Sequence, residues 1–149
     1  MQNAMTQLRD NLYSSNHRQA HGFCLELEQQ SKASDELYYA FPLFLKMLDS
    51  PDAFVRVRGF RLLCAQAKWD TDCLIEKNIS RILNALEDEK PTNLRQFLSV
   101  LPGLIQSKPH LIPGVLEKVR SLPLDRYSGS MQPLLRRDIQ DFLSKTENA

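Results

Sequence analysis

The run Phe41-Pro42-Leu43-Phe44-Leu45-Lys46-Met47-Leu48, then Asp49-Ser50-Pro51-Asp52, then Ala53-Phe54-Val55-Arg56, decides the fold. Extended back to Leu37, it places apolar residues at Leu37, Phe41, Phe44, Leu45 and Leu48, the offsets of one stripe along an α-helix. Asp49 to Asp52 supplies an N-cap oxygen and a proline suited to a first turn, so a second helix is expected to follow. Its stripe is Val55, Gly59, Leu62 and Trp69. Together the two stripes predict a helical hairpin.

The hairpin recurs along the chain. Ile75, Ile79, Ile82, Leu83 and Leu86 repeat the first stripe, and Ile112, Val115, Leu116 and Val119 repeat it again. Each is followed by a second helix, striped by Leu94, Leu98, Leu101 and Ile105 and by Leu135, Ile139 and Phe142. Every second helix opens with an aliphatic residue and an arginine: Val55-Arg56, Leu94-Arg95 and Leu135-Arg136. These pairs lie about 40 residues apart, within the range of helical-hairpin repeats. Glu87 to Thr92 and Ser107-Lys108-Pro109 serve as joints, while the connection from Pro123 to Ser130 is longer, a feature more often functional than short turns are.

Residues 1–33 read as a degenerate opening hairpin, with Met5, Leu8 and Leu12 on one helix and Ala20, Phe23, Cys24 and Leu27 on the next. Terminal repeats are atypical because they cap an otherwise open core. The prediction is therefore an all-α, single-domain chain over 1–149: a right-handed α-α superhelix of about four hairpins, with a cap at 1–33 and units at 34–70, 71–108 and 109–147.

Composition narrows the classes. The chain has 149 residues, 42% hydrophobic and 25% charged, with 19 Lys and Arg against 18 Asp and Glu. So even a balance weakens the case for nucleic acid or an anionic membrane as partner. The opening Met1-Gln2-Asn3-Ala4-Met5-Thr6 has neither a basic start nor an apolar run, so no secretory leader is expected. No window approaches the ~18 consecutive apolar residues of a membrane span. Cys24, Cys64 and Cys73 form an odd set without CxxC spacing, the first two inside amphipathic patterns where a free thiol acts as a small hydrophobe. A cytoplasmic location is the expectation.

The segment from Phe41 to Arg56 resembles the HEAT-repeat and armadillo superfamily: a proline inside the first helix, an Asp-containing turn, and Val-Arg opening the second helix. Leu111-Ile112-Pro113-Gly114 repeats the proline, and Ser80 replaces it in the middle unit. The resemblance covers residues 37–143 and is strongest over 41–63; Ser50, Glu89 and Ser130 stand at the family's turn-aspartate position, so its side-chain ladder is incomplete here. The resemblance implies structural roles for Pro42, Asp52, Arg56 and Pro113, a concave surface lined by second helices, and a habit of binding extended partners.

On such a surface Arg58, Arg61 and Lys68, with Arg95 and Arg136 at matching points later, could form a row gripping carboxylate or phosphate. The plainer reading makes Arg56, Arg95 and Arg136 structural bonds to turn acids and leaves the rest solvated, bracketed by Asp49, Asp52, Asp70 and Asp72. His17, His21 and Cys24 share one helix face, but no fourth ligand accompanies them and no metal is expected. Trp69 with Asp70 is too little to match the bacterial DNA glycosylases built on similar repeats, and Trp69 reads as core.

Glu26, Glu28 and the run Glu87-Asp88-Glu89 read as solvated acids. Tyr38, Tyr39 and Phe60 add aromatic surface. There is no nucleophile elbow, phosphate loop or catalytic Cys/His pattern, and no cofactor is expected. The functional expectation is a non-enzymatic adaptor or scaffold holding a protein or peptide. Nucleic-acid binding through the arginine row comes second, and a small enzyme of glycosylase or lyase type third. No membrane partner is expected, and nothing in the residues sets an oligomeric state.

Overall fold

Asp52 shows how local chemistry sets the helices: its Oδ1 accepts the Phe54 amide at 2.9 Å and caps the helix that begins at Ala53. Pro51 stands just before that cap rather than in the first turn. The structure, a computed structural model, describes residues 2–147, with side chains from Ala4 onward. Among these residues every regular element is helical. No helix among the described residues is long and apolar enough to cross a membrane. The chain forms two compact units, Met1–Asp72 and Cys73–Ala149.

In the first unit, α1 (Gln2–Leu12) packs on α2 (His17–Ser31), which Asn16 caps by accepting the Gln19 amide at 3.2 Å. A 3₁₀ turn over Tyr38–Ala40 leads into α3 (Phe41–Met47), with Pro42 in its first turn, where a missing N–H costs nothing. The next helix, α4 (Ala53–Ala65), packs on both α3 and α2. It therefore buries more than one stripe: Val55, Val57, Phe60, Leu62, Leu63 and Cys64 are all in the core. Arg56 ties its start to the preceding turn, Nη1 donating to the carbonyls of Ser50 at 2.9 Å and Pro51 at 3.3 Å. Gly59 marks the crossing of α3, since a Cβ there would lie 2.5 Å from Met47 Cβ and 2.8 Å from the Phe44 carbonyl. Gly22, its weak sequence echo, faces open space. On α3, Leu43 and Met47 are buried, whereas Leu45 and Leu48 of the predicted stripe are only half-buried.

In the second unit the expected single first helix is broken into α5 (Leu74–Lys77) and α6 (Ile79–Asn84), which runs on as a 3₁₀ turn over Ala85–Glu87. Asn78 sits at the break, its amide donating to the Leu74 carbonyl at 2.8 Å. Pro91 opens α7 (Pro91–Ser107) at a position that needs no amide hydrogen. Lys108 ends it, its buried Nζ 2.7 Å from Glu76 Oε1, while His110 Nε2 lies 2.7 Å from Glu76 Oε2. Pro113 lies in the first turn of α8 (Ile112–Arg120). The long connection to α9 (Gln132–Glu147) is anchored: buried Tyr127 donates its hydroxyl to the Asp88 carbonyl, Arg126 Nη1 donates to the Glu87 carbonyl at 2.8 Å, and Gln132 Nε2 donates to the Tyr127 carbonyl at 2.9 Å. These bonds give the connection a structural task. Both α7 and α8 pack on α9.

Candidate functional site

The three aliphatic–arginine openings share a sequence position and diverge in structure. Arg56 holds its own turn, Arg95 reaches α9, with Nε 2.6 Å from Asp138 Oδ2, and Arg136 stands exposed beside Leu124 and Asp125 of the long connection. The arginine row expected as an open binding surface does not form at Arg58 and Arg61, which are turned to the interior. Arg58 is 1% exposed. Its Nη1 donates to the Leu12 carbonyl and its Nη2 lies 2.7 Å from His17 Nδ1. Burial pulls this guanidinium below its ordinary pKa, with nearby Asp52 opposing. Arg61 is held in a two-pronged pair with Glu28, Nε to Oε2 at 2.8 Å and Nη2 to Oε1 at 3.1 Å. The reason is that α4 lies against α2 as well as α3, so the face carrying these arginines is an interior one. Lys68 stays exposed but donates to the Lys32 carbonyl, beside Trp69, whose Nε1 donates to the Ser31 carbonyl at 2.7 Å. Both satisfy carbonyls at the end of α2.

The other singled-out groups are also absorbed by the fold. Cys24 is fully buried, and burial pushes its thiol up, with Glu28 adding to the shift. Burial, then Arg61, lowers the pKa of His21. Among the described residues no group of three or more His, Cys, Asp or Glu is placed to hold a metal ion. Asp70 is buried and accepts the Tyr38 hydroxyl at 2.6 Å. Trp69 and Asp70 thus tie the segment after α4 to the end of α2 and to the 3₁₀ turn before α3.

The feature left over is a groove of about 1020 Å³ in the second unit, walled by α7 and α9, with Ile112 of α8 at one end. Leu98, Ile105 and Phe142, each buried, make an apolar floor, the same stripes that the sequence exposes. Arg95 and Asp138 bridge the walls near the start of both helices, a hydrogen bond that raises the arginine's pKa. Elsewhere on the rim, the side chains of Thr92, Gln106, Asp141 and Lys145 have no hydrogen-bond or ion-pair partner among the described residues.

Pro102 faces this groove from the interior of α7, and exposed Gly103 follows it. A helix-interior proline costs about 3 kcal/mol and a glycine about 1 kcal/mol. Burial of Leu94, Phe97, Leu98, Leu101, Leu104 and Ile105 along the same helix offsets this at roughly 1.5–3 kcal/mol each. Packing does not require either residue: Pro102 is exposed, and a Cβ on Gly103 would meet nothing within 4 Å. Pro102-Gly103 inside an apolar stripe was a readable signal that stripe-counting passes over. Asp138 and Asp141 lie between stripe residues of α9 and Lys145 just past them, and only the pairing of α9 with α7 gives them a shared role.

Comparison with protein-family models, with curated proteins and with solved structures returns no match for this chain.

Proposed function

We propose that the chain is a non-enzymatic, HEAT-like helical-repeat adaptor that holds a peptide segment of a partner protein in the groove between α7 and α9. The observation that carries this reading is the groove itself: an apolar floor of Leu98, Ile105 and Phe142 under a rim of polar groups with unused hydrogen-bonding capacity. Packing of second helix on second helix within each unit, α2 with α4 and α7 with α9, supports the repeat reading. Charge weighs against nucleic acid at this site. Arg95 and Lys145 are matched by Asp138 and Asp141, and a phosphate backbone needs an excess of cations.

The test is a titration of ¹⁵N-labelled protein with a pool of net-neutral heptapeptides carrying a central aliphatic residue, beside a 20-nucleotide single-stranded DNA. Peptide is expected to shift amides of α7 and α9, with little change between 50 and 300 mM salt. Shifts caused by DNA alone, collapsing with salt, would reverse the assignment.

A further inference from the structure

Every helical carbonyl is normally bonded by the amide four residues on, and Pro102 has no amide hydrogen to give Leu98. Leu98 and Pro102 both line the groove, so this under-bonded carbonyl belongs to the stretch of α7 that walls it. Nearby rim groups can serve a main chain in either sense: Gln106 donates and accepts, and the Ser99 hydroxyl, which donates to the Gln96 carbonyl at 2.6 Å, retains acceptor capacity. A helical ligand has its backbone groups bonded internally and would leave these unused, whereas an extended segment brings unpaired N–H and C=O groups throughout.

Resting on the groove reading above, we propose that α7 reads the main chain of an extended partner segment, with the Leu98 carbonyl accepting one of its backbone amides. From Thr92 to Gln106 the wall runs about 21 Å at 1.5 Å per residue, the length of about six extended residues. The segment carries an aliphatic side chain for the floor at Ile105 and Phe142. Its own charges are balanced, one basic group for Asp141 and one acidic group for Lys145, because neither has a partner within the described protein. On this account Pro102 serves by the acceptor it frees, against its cost to the helix.

The experiment uses three pools of net-neutral heptapeptides, each with a central aliphatic residue, one Lys and one Glu. One pool is unmodified, one is N-methylated at alternate amides, and one is stapled as helices; all are titrated into the ¹⁵N-labelled full chain and into Pro102→Ala. The unmodified pool is expected to shift amides over 96–106 and 138–146. N-methylation should weaken binding at least tenfold, and Pro102→Ala at least fivefold while raising the denaturant midpoint. Equal binding by the N-methylated or the stapled pool would overturn the main-chain inference and leave the groove reading standing. If N-methylation weakens binding and Pro102→Ala does not, the Leu98 carbonyl is not the acceptor and the proposal fails in that form. No shift in the groove with any pool would overturn the groove reading and this inference together.

Discussion

Arg58 Nη2 lies 2.7 Å from His17 Nδ1, so a buried guanidinium joins the first residue of α2 to the middle of α4. The same guanidinium donates to the Leu12 carbonyl, so the end of α1 is held as well. Arg58→Ala strands both partners and opens a cavity, and should cost about 3 kcal/mol. Arg136→Ala, at an exposed position, should change stability by less than about 0.5 kcal/mol. Urea midpoints at unchanged slope measure both, and a neutral Arg58→Ala would mean the α1–α2 hairpin is not fastened by this residue.

Two glycines should respond in opposite directions. Gly59→Ala drives a methyl group into Met47 and the Phe44 carbonyl, and should cost about 1–3 kcal/mol as the helices separate. Gly103→Ala meets open space within a helix and should stabilise by about 0.5–1 kcal/mol. Thermal unfolding of the two variants separates the cases, and equal shifts would contradict the crossing assigned to Gly59.

Stability should fall in acid partly through Glu76. Burial alone would raise its carboxyl, but hydrogen bonds from Lys108 and His110 outweigh that and hold its pKa below the ordinary 4.5. The unfolded chain therefore binds this proton more readily. The contribution is complete above about pH 4.5 and is lost as pH falls through the lower folded-state value. Glu76→Gln should be less stable than the native chain at pH 7, and the difference should shrink below pH 4. An undiminished difference at low pH would show that the loss comes from packing and not from charge.

The second-helix stripes were legible because α7 and α9 bury one face each: Leu94, Leu98, Leu101 and Ile105, then Leu135, Ile139 and Phe142, are all in the core. Arg58 was not legible because α4 lies against two neighbours, and periodicity assigns only one face to burial. Its partners, His17 and Leu12, are more than forty positions away, and no local pattern pairs them. Leu83, counted as core on the first-helix stripe, is half-buried, as is Leu45 at the matching place on α3, while the residue before each, Ile82 and Phe44, is fully buried. The groove floor could be read from the stripes. Its rim could not, since Arg95 and Asp138 lie 43 positions apart on different helices and meet only once α7 and α9 pack.

Occupancy of the groove is tested most directly by blocking it. Ser99 is exposed on the α7 wall and buries nothing, so Ser99→Trp fills the groove without disturbing the core. The variant is expected to keep the native far-ultraviolet circular dichroism and an unfolding free energy within about 0.5 kcal/mol of the native chain. Its affinity for the net-neutral heptapeptide pool, read by fluorescence anisotropy, should fall at least tenfold. A folded Ser99→Trp that binds the pool as tightly as the native chain would contradict the groove as the binding site.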